Sequence, residues 1–391
     1  MKKLLCFVLP LAVAVLVSCT KSDSNTTYTA TVTVSYPDTY IQQHAVGADV
    51  SIKNTTTSVT YTGVVGSDGT AIFENVEPGS YTVTSSITLD AQQAKEVSGI
   101  EISVGLRAVK NVEIYGVESA SFAMVLEPYS QGSLVIGQVY YQGCKTPSGA
   151  NYKADQFIEI YNNSDQVVYL DGLLISDIWG NPSGTTPTEF QSDNSNVYAS
   201  TVWQIPGTGQ EYPLEAGKSI VIAQTALNHL EQNANSIDLS GSKFETYVEK
   251  QNGTDVDVAE SINLNLQYFT FLGYDYYLNM NGPAIVIWRT DNFDALAKCL
   301  RPGTTSTALY IQIPNALVID GVEILADANS SGLKRLNTPI DATFAYGQGL
   351  YSGYTMKRKV ANTTDDGRKV LQDSNSSADD FECVTPVSLG F

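Results

Sequence analysis

Residues 155–175 read DQFIEIYNNSDQVVYLDGLLI, two apolar runs separated by Asn162-Asn163-Ser164-Asp165. In the first run Phe157 to Tyr161 alternates around Ile158 and Ile160, the period-2 pattern of a strand with a buried face. The Asn/Asn/Ser/Asp segment supplies turn chemistry, because these side chains hydrogen-bond their own backbone. Val167 to Ile175 then returns as an apolar strand. The stretch predicts a pair of sandwich strands rather than a catalytic loop, and it heads a region filling about two thirds of the chain.

Working outward, Leu134 to Tyr141 precedes the pair, and Pro213-Leu214-Glu215-Ala216-Gly217-Lys218-Ser219-Ile220-Val221-Ile222-Ala223 follows it. Later come Asn281-Gly282-Pro283-Ala284-Ile285-Val286-Ile287 and Val318-Ile319-Asp320-Gly321-Val322-Glu323-Ile324. This series resembles the lamin-tail type of immunoglobulin-like sandwich, which implies that the runs pack in order as strands. Pro283-Ala284 stands where that family usually has Gly-Asp, and the segment Trp179 to Glu211 reads as a long insertion. Ala223 to Gln232 and Asp291 to Leu300 carry helix formers and an Asp-Asn cap, and predict two short helices at the sandwich rim. The whole of residues 133–391, through Lys334-Arg335-Leu336 and Met356-Lys357-Arg358-Lys359-Val360, is similar to a family of Bacteroidetes lipoproteins of unknown function. That resemblance implies an envelope protein without implying a reaction.

Residues 28–128 predict a smaller β-domain, large enough for its own core. Ala30, Val32 and Val34 share one face of the first strand, and a second runs from Ala48 to Asn54. Asp68-Gly69 and Pro78-Gly79 mark turns around Thr70 to Val76 and the Tyr81 strand. Ile100 to Val104, Val109 to Tyr115 and Phe122 to Leu126 complete the set. The Gly66 to Val83 pattern resembles the carboxypeptidase-regulatory-like, prealbumin-type sandwiches, which implies a spacer. Glu127 to Gly132 reads as the boundary. The expected fold class is thus mostly β, two β-sandwich domains with a few short helices.

Met1-Lys2-Lys3 and the apolar run Leu4 to Val17 have the form of a secretory signal, too short to span a bilayer. Leu16-Val17-Ser18-Cys19 resembles a bacterial lipobox. Residues 1–18 then form a lipoprotein signal peptide, Cys19 carries lipid, and residues 19–27 are a tether. Multi-chain acylation is a lasting anchor, so the expected location is the cell envelope, at the outer membrane, with the leaflet left open because only Asp23 offers an acidic signal behind Cys19.

Loss of residues 1–18 removes two lysines and no acids, so the net charge moves from −19 to −21. Such a surface repels nucleic-acid phosphates and argues against a nucleic-acid partner. Cys144, Cys299 and Cys383 remain, an odd number without metal-ligand spacing; one disulfide plus a thiol, or three free thiols, both fit.

Motifs for catalysis are sparse. The two histidines lie in different domains, and His229 reads as a hydrogen-bonded structural residue. HExxH and G-x-S-x-G are absent from the sequence. Ser331-Gly332-Leu333-Lys334 and Ser240-Gly241-Ser242-Lys243 match S-x-x-K without the K-T-G partner. No catalytic residue is expected. The segment from Asp373 to Asp380 offers Asp373, Asn375, Asp379 and Asp380 as oxygen ligands for Ca²⁺, although it lacks the glycine and glutamate of an EF-hand. Its other reading is an Asx turn made by Asp373 and Asn375, with Phe381 packing inward. No other cofactor is expected.

The chain has 23 tyrosines and three tryptophans. Trp179 lies in a Gly/Asn/Pro/Ser-rich segment and is the first candidate for stacking on a sugar, with Asp177, Tyr198 and Trp203 as companions. The expected function is a lipid-anchored, non-catalytic binding or assembly module, its partners the membrane through the anchor and a glycan or an outer-membrane protein. The rivals are an accessory lipoprotein of an outer-membrane transporter and a carboxylate-dependent hydrolase, for which no spacing among the 41 acids speaks.

Overall fold

The two runs of residues 155–175 do not pair with each other. In a computed structural model that describes residues 27–391 apart from 58, 90, 100–103, 117–118, 130–132, 250–254, 271–276 and 365, Phe157–Asn162 lies in a seven-stranded sheet and Leu174–Ile178 in an eight-stranded one. The turn between them is as expected: Asn162 Oδ1 accepts from the Ser164 backbone at 3.1 Å, and its amide donates to the Gln166 and Leu214 carbonyls, each at 2.7 Å. Alternation alone could not separate the two arrangements. Strands that pair and strands that face each other across a core bury the same residues. The signal peptide and Cys19 fall outside the described residues, as do 101–103 and Ile100 of one expected strand.

The seven-stranded sheet runs Ile262–Asn263, Phe244–Glu245, Ser219–Ala223, Phe157–Asn162, Leu134–Tyr140, Thr355–Arg358, Phe381–Val384. The larger sheet runs Lys298–Leu300, Leu309–Pro314, Asn196–Gln204, Leu174–Ile178, Ala284–Trp288, Val318–Leu325, Ala345–Tyr346, with Asn265–Phe269 also paired to Asn196–Gln204. Between them Ile136, Val139, Ile158 and Ile160 of the first meet Leu173, Ile175, Trp203, Ile285 and Val322 of the second in one core. The other face of the larger sheet is covered too: Leu174, Ile178, Val286, Trp288 and Ile311 pack beneath Leu336 and Ile340. A strand buried on both faces reads as a continuous apolar run, which is why Ala284–Trp288 is AIVIW with every residue buried.

Three expectations are corrected. Residues 179–211 are not a displayed insertion, since Asn196–Gln204 is an interior strand of the larger sheet, paired with Leu174–Ile178 and Leu309–Pro314. Its turn-rich flanks hid a β-branched and aromatic run. The helix expected over Ala223 to Gln232 is the end of strand Ser219–Ala223 and a single 3₁₀ turn, His229–Glu231, capped by Asn228. Likewise Asp291 to Leu300 is one 3₁₀ turn, Phe293–Ala295, capped by Asn292, and a strand pairing Lys298–Leu300 with Leu309–Pro314. In both, available strand partners override weak local propensity. The two α-helices among the described residues, Ala91–Ser98 and Ser377–Asp380, lie elsewhere.

Toward the amino terminus, Thr70–Val76, Tyr28–Ser35 and Ser119–Val125 form a three-stranded sheet. Thr60–Val64, Asp49–Asn54, Gly79–Leu89, Val104–Ile114 and Glu127–Tyr129 form a five-stranded one. Both bury residues in one cluster that includes Val32, Val34, Ile52, Tyr81, Val83 and Leu106. Gly69 holds φ at +81°, the left-handed conformation the tight turn requires, and Asp68 Oδ1 accepts from the Thr70 backbone at 3.0 Å. Glu127 belongs to this region's sheet, opposite Arg107, rather than to a linker. The protein is mostly β, built of several sheets.

Candidate functional site

Along Leu173 to Ile178 the alternation that sends Leu173 and Ile175 into the core reaches Asp177 next. A carboxylate thus stands in register with core positions. Its neighbours across the sheet are Thr201 and Ile285, and Thr201 is in turn opposite Phe269. The strand ends bring these groups to a cavity of about 260 Å³, lined by Asp177, Thr201 and Phe269 together with Trp179, Ser200, Tyr277, Asn279 and Arg335. Two of the residues singled out in the sequence, Asp177 and Trp179, therefore line one cavity.

Trp179 is braced rather than loose. Its indole Nε1 donates to Glu189 Oε2 at 3.0 Å, its ring centre lies 5.0 Å from that of Tyr310, and the Arg301 guanidinium sits 5.0 Å from its centroid. Glu189 joins the two, accepting from Arg301 Nη1 at 3.1 Å. At Tyr277, another lining residue, the Lys153 ammonium lies 4.1 Å from the ring centre. The cavity's aromatic groups thus already attract cations.

The charges within the lining are Asp177 and Arg335. Arg335 is fully engaged: Nε donates to Glu323 Oε1 at 2.8 Å, Nη1 to the Gly282 carbonyl at 3.1 Å and Nη2 to the Ile324 carbonyl at 2.6 Å. A Cβ on Gly180 would come within 2.6 Å of Arg335 Cγ, so the backbone seals that side chain in place. Asp177 differs. Its Oδ1 is shut off from solvent and accepts no hydrogen bond among the described residues. Burial pushes the carboxyl up to about 6, against Arg335 and the Ser200 hydroxyl, which favour the charged form; Glu323 acts with burial.

The other two candidate binding residues are packed inside. Trp203 is 2% exposed in the inter-sheet core. Tyr198 stacks on Phe190 with ring centres 3.8 Å apart and donates to Asp193 Oδ2 at 2.6 Å. Both belong to the strand that the sequence reading took for an insertion, which is why they looked exposed. Ser200 and Thr201 were missed for the same reason, whereas Phe269, Tyr277, Asn279 and Arg335 come from distant segments that only the folded chain brings to the cavity. The β-branched and aromatic density after Asp193-Asn194-Ser195 was the signal that could have found the strand.

The acidic segment is engaged internally. Asp373 and Asp380 approach Arg358 Nη1 at 3.2 and 3.5 Å. Asp379 lies 3.4 Å from Arg107 Nη2, and Asn375 donates to the Pro339 carbonyl at 2.7 Å. The backbone turn is made by Asp380, which accepts from Ser374 and Ser376 at 2.9 and 3.2 Å, not by Asp373 and Asn375. Phe381 packs inward, 4% exposed. Among the described residues no group of three or more His, Cys, Asp or Glu is arranged to hold a metal ion.

His229 is buried, with Tyr152 Oη 2.6 Å from Nδ1 and the Thr225 carbonyl 2.9 Å from Nε2. The carbonyl can only accept, so Nε2 carries the proton, and burial holds the imidazole below its ordinary pKa. Nearby, Asp155 Oδ2 lies 3.3 Å from Cys144 Sγ and accepts from Ser236 at 2.6 Å, while Asn233 donates to the sulfur at 3.0 Å. Burial pushes the Cys144 thiol up to about 11, with the Asp155 charge adding to the effect, so it is not a thiolate nucleophile. All three described cysteines are free.

Residues 215–388 match a family described as "Protein of unknown function (DUF4876)". No curated protein matches. Among solved structures, a DUF4876 family protein from Bacteroides thetaiotaomicron VPI-5482 is similar at 25% identity, over 92% of this chain and 96% of that one, with a TM-score of 0.60. A Streptococcal ancillary pilin aligns at 10% identity over 51% of this chain and 60% of that one, with a TM-score of 0.20, too low for a shared fold to be read from it. Over its carboxy-terminal part the chain is therefore similar to this family of unknown function.

Proposed function

We propose that the chain is a lipid-anchored cell-envelope protein, tethered through Cys19, whose work is non-covalent recognition of a glycan at the cavity between Asp177 and Trp179. The observation that carries this reading is the composition of that cavity. At about 260 Å³ it holds one sugar-sized group, and it combines aromatic side chains with hydroxyl, amide and carboxyl groups of Ser200, Thr201, Asn279 and Asp177. Ligand sites pair apolar walls with a few placed polar groups in this way. The non-catalytic part of the reading is supported by the state of the nucleophile and base candidates: Cys144 is held as a thiol and His229 as a hydrogen-bonded neutral imidazole. A glycan array read with wild type and Trp179→Ala tests the proposal. A defined subset of glycans bound by wild type and lost in the variant is expected; binding that survives Trp179→Ala, or no binding at all, would overturn it.

A further inference from the structure

We infer that the outer face of the seven-stranded sheet around Gly137 is a peptide-binding site. The chain's own residues 388–391 fill it in cis, and the partner it fits is an extended segment of another chain carrying a glycine followed by an aromatic residue. This site is independent of the cavity at Asp177, whose strand belongs to the larger sheet.

Three observations lead there. First, the sheet presents a socket. Leu134–Tyr140 has a glycine inside a strand, which marks a bulge or a close approach. Gln138 stands opposite Glu159 and Ile136 opposite Ile160, so Gly137 is the extra residue of a bulge. The Phe391 ring occupies the space a side chain would need, since a Cβ on Gly137 would come within 2.8 Å of it. Tyr161 meets that ring edge-on with centres 5.1 Å apart, and the Lys357 ammonium lies 4.8 Å from its centroid.

Second, polar groups beside the socket grip main chain. Glu159, Gln138 and Lys357 stand in one row across three strands. Glu159 Oε1 accepts from the Gly390 N–H at 2.9 Å. Lys357 Nζ donates to the carbonyls of Gly390 at 2.6 Å and Ser388 at 3.1 Å, with the Ser388 hydroxyl at 3.4 Å. Gly390 holds φ at +78°, a left-handed conformation that only glycine adopts without cost, so the residue before the ring is specified as well. Main-chain hydrogen bonds for affinity and a side-chain pocket for specificity are how extended peptides are recognised.

Third, residues 386–391 lie on the sheet as a ligand does. They follow the strand Phe381–Val384, form no helix or strand, and exchange no backbone–backbone hydrogen bond with the described residues. Leu389 is 41% exposed, and residues 388–391 share with Val360 and Glu382 the lining of a cavity of about 410 Å³, so the segment is not enclosed.

The test uses the full chain and a dye-labelled peptide of residues 386–391, PVSLGF, read by fluorescence anisotropy, each variant first checked for an unchanged fold by its thermal melt. Phe391→Ala clears the socket and leaves the sheet as it is. This variant is expected to bind the peptide at least about tenfold more tightly than wild type, in which the tethered segment competes at high effective concentration. Filling the socket of the same variant by Gly137→Val should abolish binding, and so should replacing the peptide's phenylalanine by alanine. The alanine peptide keeps the inference falsifiable should Gly137→Val fail to fold. No binding by Phe391→Ala, binding no tighter than to wild type, equal binding of the two peptides, or binding that survives Gly137→Val would each overturn it.

Discussion

Arg358 Nη2 lies 2.6 Å from Asp320 Oδ2, joining strand Thr355–Arg358 of the smaller sheet to strand Val318–Leu325 of the larger. The pair is a buried staple across the sandwich. Arg358 Nε also donates to the Ile136 carbonyl at 2.9 Å, and Asp320 accepts from the Ile136 backbone at 2.6 Å, so a third strand is held. Asp373 and Asp380 share the same guanidinium. Burial raises the Asp373 carboxyl, opposed by Arg358 and assisted by its two acidic neighbours.

Removing that arginine strands three buried carboxyls. Arg358→Met is expected to cost about 3–5 kcal/mol, the range for breaking a buried ion pair from one side. Arg358→Lys should recover only part of the loss, because an ammonium cannot reproduce the fork that reaches Asp320, Ile136 and Gln372 together. Urea unfolding of the three proteins checks this. A loss below about 1 kcal/mol for Arg358→Met would mean that the staple is not structural.

The local patterns were readable from sequence because they depend on neighbours in the chain. Ile158 and Ile160, the Asn162 turn and the Asp68-Gly69 turn all fold as their chemistry predicts. What was not readable depends on distant partners. Nothing near Leu174 says that it pairs with Trp288 and Gln204 instead of with the Phe157 run. Nothing near Asp291 says that the Leu309 strand will claim Lys298–Leu300. The site divides in the same way. Trp179 was visible as an aromatic in a turn-rich segment, with Asp177 named only as its companion, whereas Thr201, Phe269 and Arg335 reach the cavity only through long-range register and packing.

Asp177 is expected to weaken the fold it serves. Its carboxyl is raised to about 6, above an unfolded value of about 3.9, so the folded chain holds this proton more tightly than the unfolded one. The stability that the proton lends is complete below the unfolded value and is lost as pH rises through about 6. Asp177→Asn should therefore be more stable than wild type by about 1–3 kcal/mol at pH 8, with the difference closing near pH 4. Urea midpoints at both pH values measure it, and a difference that does not change with pH would refute the assignment.

Glu189 should control the cavity without entering it. Against burial, which raises its pKa, hydrogen bonding from Trp179 and the charge of Arg301 hold its carboxyl below the usual range. Its contribution is present above the unfolded carboxyl value and is lost as pH falls through the lower folded one. Glu189→Gln keeps the shape but weakens the hold on the indole and on Arg301. The expected result is a red-shifted tryptophan emission and about 0.5–2 kcal/mol lost from ligand affinity, with global stability changed by less than about 1 kcal/mol. Unaltered emission and affinity would show that Trp179 is positioned by Tyr310 packing alone.

Cys144 gives the sharpest contrast among the three thiols. It is 3% exposed, its sulfur accepts from Asn233, and burial beside the Asp155 carboxyl pushes its pKa up to about 11. Reaction with an alkylating reagent requires a thiolate and an open path, and Cys144 has neither at pH 8. Cys299 and Cys383 are also raised by burial but are half-buried rather than enclosed. Iodoacetamide at pH 8, followed by mass analysis of peptides, should therefore modify Cys299 and Cys383 slowly and Cys144 only in denaturant. The same contacts predict how substitution behaves. Cys144→Ser keeps a small polar atom between Asn233 and Asp155, whereas Cys144→Ala leaves both without it and should cost about 1–3 kcal/mol. Alkylation of Cys144 as fast as Cys383 in the native protein would mean that the network of Asp155, Ser236 and Asn233 opens on the labelling timescale and does not enclose the thiol.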